Sequence, residues 1–372
     1  RLDYLAEMYS PKKYTPAVIE FVDIAGLVKG ASRGEGLGNK FLAHIREVDA
    51  VAQVVRCFED GNITHVEGSI DPLRDIEIIN TELCLADMES VEKRMERLTK
   101  LLKTGDKKAV LEKACMEKVL EGLGDAIPAR RLGLTDDEKE FLKELHLLTM
   151  KPVLYITNVA EGEVADTSGN AHVQAVMKYA AEEGAEVIVV SAKMESEIAE
   201  LDDESAKEFL EMAGLTETGL DRLIKAGFKL LGLQTYITAG EIEVRAWTIT
   251  KGTKAPQAAG KIHTDFERGF IRAEVVAYDD LIACGSYTAA KEKGLVRSEG
   301  KEYDVLFESF KSIGLIAEIG ILTPEGNFLT KLGSVKPETN MTFAGEAQKS
   351  PYISGIVPDA TNSKRKIIRL II

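Results

Sequence analysis

A carboxylate and a glycine three residues apart follow an apolar run near the start of the chain. Asp23 and Gly26 form the pattern D-x-x-G directly after residues 17–22. In nucleoside triphosphatases with this pattern, the carboxylate holds a water bound to Mg²⁺ and the glycine N–H meets the γ-phosphate. Only glycine lets the main chain come so close to a ligand. The pattern predicts Asp23 and Gly26 as catalytic residues, and a simple turn at a strand end is the competing interpretation.

Glycine recurs in the residues that follow this pattern, at Gly30, Gly34, Gly36 and Gly38. A segment so rich in conformationally permissive residues can order on a ligand and relax without it. We therefore interpret residues 26–40 as a switch segment, and a flexible connector is the alternative.

A second polar motif lies at the end of the apolar run 153–156. The sequence Asn158-Val159-Ala160-Glu161 stands where guanine-specific proteins of this class carry N-K-x-D. In that motif the Asp accepts two hydrogen bonds from the guanine edge, whereas adenine presents an exocyclic amine. The longer carboxylate of Glu161 and the absence of a lysine at Val159 argue against strict guanine selectivity.

A third motif, Ser191-Ala192-Lys193, follows the apolar run 187–190. In such proteins the backbone at this position closes over the base, so we assign Ser191, Ala192 and Lys193 to the nucleotide site. Each motif alone is little better than chance, and an Asn cap or a strand-end turn would explain it. Their order along the chain and their placement at strand ends give the combination its weight.

Short apolar runs and periodic charged segments predict the elements that position these motifs. The runs 17–22, 51–55, 153–156 and 187–190 are typical of buried parallel strands. Between the second and third runs, apolar spacings of three and four residues predict a helix before residue 104 and further helices over 107–123 and 136–147. This pattern indicates an α/β sheet with a helical insertion. From residue 234 onward, short alternating strands predict a separate α+β module.

Composition limits the class of protein. The chain of 372 residues has 45% hydrophobic and 29% charged residues, which predicts two or three globular domains. A net charge of -14 opposes non-specific attraction to phosphate backbones, so a nucleic-acid partner requires a local basic patch. We expect a cytoplasmic protein without membrane association, because neither a signal peptide nor a run of about 18 apolar residues occurs. The scattered cysteines argue against zinc or disulfides.

Together with the helical insertion and the run 263–275, HTDFERGFIRAEV, these motifs resemble the YchF / Obg-like ATPase family over about residues 1–305. The resemblance implies the α/β fold of a Ras-like P-loop NTPase, with a G domain over 1–72 and 148–232 and a helical insertion over 73–147. It also implies a TGS module, a ubiquitin-like β-grasp fold, over 233–305. Residues 306–372 do not resemble the family's ending and stay unassigned, as a junction or a replacement.

The resemblance also implies an activity and its site. It predicts ATP binding, slow ATP hydrolysis, Mg²⁺ as cofactor and association with the ribosome through the TGS module and the helical insertion. By matching positions, Asn158, Val159 and Glu161 would contact the base, and Asp23 would serve Mg²⁺ through a water. We expect a monomer.

Leucine stands directly after the D-x-x-G pattern, at Leu27. Ras-like enzymes place a glutamine there to orient the attacking water, and a leucine side chain can neither donate nor accept a hydrogen bond. Hydrolysis is therefore expected to be slow or stimulated by a partner. His44 is interpreted as a partly buried structural residue rather than a general base.

The phosphate-binding loop G-x-x-x-x-G-K-S/T does not occur in the 372 residues. Such a loop supplies the backbone N–H cradle and the lysine that hold the β- and γ-phosphates. We therefore expect an N-terminally truncated member of the family that binds ATP poorly. The absent first strand is also expected to leave an open position in the parallel sheet.

Two other functions stay open from the sequence. The first is a nucleotide-independent module that binds the ribosome or RNA through basic residues of the TGS region, for which Trp247 is better interpreted as a core aromatic. The candidate basic residues are Arg245, Lys251, Lys254, Lys261, Arg268 and Arg272, and the short basic run 364–366 is interpreted as solvated. The second is a GTPase, which Val159 and Glu161 disfavour.

Overall fold

The structure is a computed structural model, and it describes residues 1–24, 37–61, 63, 68–103 and 105–305. It also describes strands at 315–318, 320–322, 328–331 and 367–371. Gly26, Leu27 and most of the predicted switch segment lie outside the described residues.

The elements are numbered in chain order. The strands are β1 (Lys13–Thr15), β2 (Glu20–Ile24), β3 (Ala50–Arg56), β4 (Val153–Asn158), β5 (Glu186–Val190), β6 (Leu233–Ala239), β7 (Glu243–Thr250), β8 (Ala273–Ala277), β9 (Arg297–Glu299), β10 (Leu315–Glu318), β11 (Gly320–Leu322), β12 (Phe328–Lys331) and β13 (Ile367–Ile371). The helices are α1 (Leu2–Tyr9), α2 (Leu37–Arg46), α3 (Pro72–Leu102), α4 (Lys107–Gly124), α5 (Asp136–Leu142), α6 (Ala171–Glu183), α7 (Ala192–Ile198), α8 (Asp203–Met212), α9 (Gly219–Leu230), α10 (Ala255–Ile262), α11 (Thr264–Arg268), α12 (Tyr278–Cys284) and α13 (Tyr287–Glu292).

The chain divides into two compact units, each with its own sheet. The parallel-sheet unit comprises Ile19–Leu231 and Lys366–Ile372, and the mixed-sheet unit comprises Arg1–Val18 and Gly232–Arg365. The parallel sheet has the strand order β2-β13-β3-β4-β5, and every neighbouring pair in it is parallel. The four strands predicted from the apolar runs are therefore confirmed as parallel strands.

Both faces of the parallel sheet are buried, as its continuous apolar runs predict. Successive residues of a strand point to opposite faces. Ala50 and Ala52 of β3 accordingly pack with Leu154 of β4 on one face. Val51 and Tyr155 pack on the other face.

Polar caps define the helices of the charged segment. The carboxylate of Asp71 accepts a hydrogen bond from the N–H of Arg74 and begins α3, and Asp106 does the same for α4 through the N–H of Lys108. Thr135 and Glu138 form a capping box at α5, so the predicted N-cap is confirmed. The helix predicted over 136–147 ends at Leu142 and continues as 3₁₀ turns.

The mixed-sheet unit has the strand order β1-β7-β6-β10-β8-β9. Its first strand corrects a sequence prediction, because residues 1–18 were assigned to the G domain. Lys13–Thr15 pairs in parallel with β7, and Leu5 of α1 is fully buried against Ile237 and Val244. The start of the chain belongs to this unit because these apolar contacts fix it there.

The motif at 263–275 builds one corner of the mixed-sheet unit. The Nδ1 of His263 accepts a hydrogen bond from the N–H of Asp265 and begins α11. Phe270 is buried in the same cluster as Trp247. The indole N–H of Trp247 donates to Oγ1 of Thr238 at 2.9 Å, and its ring stacks on Tyr236. The interpretation of Trp247 as a core aromatic is confirmed.

The residues after 305, which were left unassigned, contribute strands to both sheets. Leu315–Glu318 lies between β6 and β8 in the mixed sheet, so this sheet does not end at residue 305. Ile367–Ile371 lies between β2 and β3 in the parallel sheet. The expectation of an open position in the parallel sheet is therefore wrong, because β13 fills the interior position beside β2.

Within the described part of the chain, no helix is long and apolar enough to cross a membrane. His44, predicted to be partly buried, is exposed on α2.

Candidate functional site

Two predicted motifs meet at the carboxyl edge of the parallel sheet. Asn158 ends β4 and lies in register with Val190 at the end of β5. The N–H of Ala192 donates to Oδ1 of Asn158 at 3.0 Å, and the N–H of Val159 donates to the carbonyl of Val190 at 2.8 Å. Val159 is 2% exposed, so its side chain belongs to the core. Asn158 thus joins the two motifs that were predicted separately.

Ser191 fixes the second motif through a helix cap. Its Oγ accepts a hydrogen bond from the N–H of Met194 at 3.4 Å, and α7 begins at the next residue. The side chain is buried. The buried Ser191 side chain therefore caps α7 and orients the turn that carries Ala192 and Lys193, and its assignment to the nucleotide site stays a prediction.

An ion pair connects the two motifs at the surface. The Nζ of Lys193 donates to Oε2 of Glu161 at 3.1 Å. The hydrogen bond from Lys193 to Glu161 raises the pKa of Lys193. Since both side chains are more than a third exposed, solvent screens the pair and its contribution to stability is small. The pair links the turn after β4 to the first turn of α7.

Asn170 braces this edge, and the sequence prediction missed it. Its Nδ2 donates to the carbonyl of Cys57 at 2.8 Å and to Oε2 of Glu163 at 3.0 Å, while its Oδ1 caps α6. The N–H of Cys57 in turn donates to the carbonyl of Asn158. The only signal in the sequence is a polar residue before a helical pattern, which indicates an N-cap but not this bridge.

Arg56 also lies at this edge, in register with Asn158. Its guanidinium donates to the carbonyls of Phe58 at 3.1 Å, Ile63 at 3.0 Å and Asp60 at 3.3 Å, and it stacks over the Phe58 ring at 4.7 Å. The guanidinium therefore binds the carbonyls of the loop after β3 and stabilises that loop.

The strand β2 carries Asp23 near its carboxyl end, but Asp23 does not lie level with Asn158. The register places Asp23 opposite Leu370, which lies opposite Ala52, and Ala52 lies four residues before Arg56, the partner of Asn158. The two backbone positions are therefore separated by three strand spacings, about 14 Å, and by about 13 Å along the strands. Gly26 lies outside the described residues.

A carboxylate such as that of Asp23 is a type of ligand that Mg²⁺ uses in proteins. Magnesium is usually held by one or two carboxylates, waters and substrate phosphates rather than by an all-protein cage. Among the described residues, no group of three or more His, Cys, Asp or Glu side chains could hold a metal. The role predicted for Asp23, a single carboxylate that reaches Mg²⁺ through a water, stays a prediction.

Comparisons with known proteins identify relatives of this chain. A family model described as 50S ribosome-binding GTPase matches residues 7–104. The model YchF-GTPase_C, described as a protein of unknown function (DUF933), matches residues 233–307. The chain is similar to the ribosome-binding ATPase YchF of Bacillus subtilis, with 61% identity over 305 residues that cover 82% of this chain and 83% of the relative.

Two further relatives extend the comparison. The ribosome-binding ATPase YchF of Haemophilus influenzae is 55% identical over the same shares of the two chains. The solved structure of the Schizosaccharomyces pombe YchF GTPase is 40% identical, with a TM-score of 0.72, over 85% of this chain and 84% of that one. Identity of this level over more than four fifths of each chain, with the strand-end motifs in place, shows that the chain belongs to the YchF family.

Proposed function

We propose that this chain is a ribosome-associated switch protein that binds ATP and hydrolyses it slowly. The observation that carries the proposal is the cluster at the carboxyl edge of β4 and β5, where Asn158, Glu161 and Lys193 are held together by hydrogen bonds. In open α/β sheets, ligands bind in the crevice outside the carboxyl ends of the strands. Relatives named as ribosome-binding ATPases support the choice of ligand and partner.

The base would lie against Asn158 and the turn before α7. Since Oδ1 of Asn158 accepts the N–H of Ala192, the amide Nδ2 is the group left to donate to a purine ring nitrogen. The backbone of Val159, Ala192 and Lys193 would cover the base, and Ser191 would orient this turn from below.

The pair between Glu161 and Lys193 favours adenine. Guanine recognition requires a carboxylate that accepts two hydrogen bonds from the base edge. Here Oε2 of Glu161 already accepts from Lys193, so the bidentate acceptor is partly occupied. This argument disfavours the GTPase alternative, although the fission yeast relative is described as a GTPase.

The phosphate end would be held weakly by this chain. Asp23 would hold Mg²⁺ through a water, and Gly26 would meet the γ-phosphate; the ion would supply charge neutralisation to the phosphates. The 372 residues contain no G-x-x-x-x-G-K-S/T loop, and backbone cradles of that kind supply most triphosphate recognition. Leu27 offers no group to orient water. Weak ATP binding and impaired hydrolysis follow.

The tip of the helical insertion is the proposed ribosome contact. It lies where α3 ends and α4 begins, and its exposed cations are Arg97, Lys100, Lys103, Lys107 and Lys108. Asp106 is the one carboxylate in residues 97–108. On a chain with net charge -14, this is the local basic patch that phosphate backbones require.

Charge reversal tests this contact. The double variant Lys100→Glu/Lys103→Glu should reduce cosedimentation with ribosomes at least about tenfold at low salt. Each lost phosphate contact lowers the affinity and makes the affinity less sensitive to salt. The matched control is Lys139→Glu/Lys143→Glu, which changes two exposed lysines of the same insertion, one in α5 and one in the 3₁₀ turn that follows it. Equal loss in both variants would contradict the tip as contact.

A nucleotide-independent ribosome-binding module is the second candidate, and the basic tip favours it because that patch needs no nucleotide. Ribosome binding that is the same with ATP, with ADP and without nucleotide would support this candidate against the switch.

The remaining assignments belong to the same proposal. The G domain, helical insertion and TGS module would follow the predicted boundaries at 72, 147 and 232, with residues 1–18 moved to the last unit. A β-grasp fold for that unit, a monomeric state and work at ribosomes in the cytoplasm complete it.

A further inference from the structure

The strand that carries Asp23 reaches the parallel sheet through β13. Five Cα pairs join β13 to β2, from Ile367 opposite Glu20 to Ile371 opposite Ile24. Four pairs join β13 to β3 on its other side. The strand order places β2 at the sheet edge, so among the described strands β13 is its neighbour in this sheet.

The sequence of β13 suits an interior position. Ile367–Ile371 reads Ile-Ile-Arg-Leu-Ile, and nearly continuous β-branched and apolar runs are typical of parallel strands with two neighbours. Ile368 and Leu370 lie opposite Ala50 and Ala52, which are fully buried in the core of this unit. The register is therefore specified by the buried face of β3.

This register also fixes the position of Asp23 along the strand direction of the sheet. Leu370 lies opposite Asp23 on one side and opposite Ala52 on the other, so Asp23 is tied through β13 to the middle of β3. A slip of one residue would exchange the two faces of a strand. The position of Asp23 along the sheet, four residues before the level of Arg56 and Asn158, thus depends on β13.

We propose that residues 367–371 are a positioning strand that holds β2, and with it Asp23, in a fixed register with β3. An interior position holds one strand, so any other segment that pairs between β2 and β3 must displace β13. The role of Asp23 rests on the proposed function, whereas the strand pairing does not.

Register-specific cross-linking tests the pairing in the full chain. Glu20→Cys combined with Ile367→Cys places two thiols on directly paired residues. Neighbouring strands lie about 4.8 Å apart, and disulfides need Cα atoms about 4.4–6.8 Å apart. The control combines Glu20→Cys with Ile371→Cys, which lies four residues further along the strand, at about 13 Å. Both variants carry Cys284→Ser, because this native cysteine is partly exposed.

After mild oxidation, peptide mapping should find an intramolecular disulfide in the first variant at a yield at least about tenfold above the control. Equal yields, no disulfide, or a disulfide between two chains would overturn the proposal.

Hydrogen exchange tests the consequence for β2. Leu370→Pro removes a ladder hydrogen bond from an interior strand. It should speed the exchange of the amides of residues 20–24 at least about tenfold. Leu370→Val is the matched control, and unchanged protection in β4 shows that the unit is folded. Unchanged protection of residues 20–24 in Leu370→Pro would overturn the proposal. Since neither readout uses nucleotide, a failed nucleotide titration leaves the strand assignment standing, and failed cross-linking leaves the nucleotide proposal standing.

Discussion

The ammonium group of Lys193 lies 3.1 Å from Oε2 of Glu161, so a lysine in the first turn of α7 neutralises a carboxylate in the turn after β4. Lys193→Met should release that carboxylate and let it accept two hydrogen bonds from guanine. One additional hydrogen bond contributes about 1 kcal/mol, so the ratio of ATP to GTP affinity should fall about fivefold. Ligand-detected NMR titrations with both nucleotides measure this ratio.

The control for Lys193→Met is Lys207→Met, which removes an exposed lysine of α8 in the same unit. It should leave the ratio unchanged. A ratio that stays constant in Lys193→Met would show that the ion pair does not select the base.

A buried ion pair fastens the segment after α4 to α6. The Arg130 guanidinium lies 3.3 Å from Oε1 of Glu183, whose side chain is 1% exposed, and the hydroxyl of Tyr155 donates to the same oxygen at 2.8 Å. Glu183→Gln leaves a buried cation without its counter-charge. We expect the free energy of unfolding of this unit to fall by about 3 kcal/mol, measured by urea denaturation.

The exposed pair of Lys93 and Glu89 on α3 is the matched comparison, with both side chains 68% exposed. Glu89→Gln should change stability by less than about 0.5 kcal/mol. Similar losses in the two variants would mean that burial does not decide the contribution of these pairs.

Three cysteines should be inert as thiols. Burial raises the pKa of Cys57 and of Cys84 to about 12, and it raises that of Cys115 to about 11. Because the thiolate is the reactive form, few of these groups are reactive at pH 8. Native labelling with iodoacetamide should therefore modify Cys284 first, and the other three only in denaturant. Rapid native labelling of Cys57 or Cys84 would contradict their burial.

The same shifts predict a loss of stability at alkaline pH. In the unfolded chain these thiols ionise near pH 9, whereas in the folded chain they keep their protons to about pH 11 or 12. Their contribution is fully present below pH 9 and is lost as the pH rises through that window. Urea midpoints that stay level from pH 9 to 11 in wild type would contradict this linkage.

Trp247, the single tryptophan, reports on the mixed-sheet unit. Thr238→Val removes the acceptor of its buried indole N–H, which costs about 1–2 kcal/mol. The variant should lower the midpoint of the tryptophan fluorescence transition in urea. Thr248→Val makes the same change on β7 at a partly exposed residue and should shift the midpoint much less. Equal shifts would mean that the change in strand propensity, rather than the lost hydrogen bond, lowers the urea midpoint.

The residues proposed to bind the base could be predicted because each lies next to its own apolar run in the sequence. Asn158 and Ser191 each directly follow or end an apolar run, and parallel strands bring their carboxyl ends to one edge. Capping signals likewise placed the helices, as Thr135 did for α5. The ion pair between Glu161 and Lys193 was not predicted, because it depends on the height at which two turns leave the sheet.

The pairings of distant segments could not be predicted. Lys13–Thr15, Leu315–Glu318 and Ile367–Ile371 are short strands whose partners lie far away in the chain. A short apolar run indicates a strand but carries no information about which strand it joins. The prediction therefore assigned residues 1–18 to the wrong unit and left β13 unassigned.

The most direct test of the account is a titration of the 372-residue chain with ATP, GTP and adenosine, with and without Mg²⁺. The account predicts that ATP binds at least about tenfold more tightly than GTP, and that adenosine binds within about tenfold of ATP because the phosphates are weakly held. Micromolar, Mg²⁺-dependent binding of ATP would contradict the proposal that this chain holds the phosphates weakly. Equal affinity for ATP and GTP would contradict the assignment of the base to Asn158, Glu161 and Lys193.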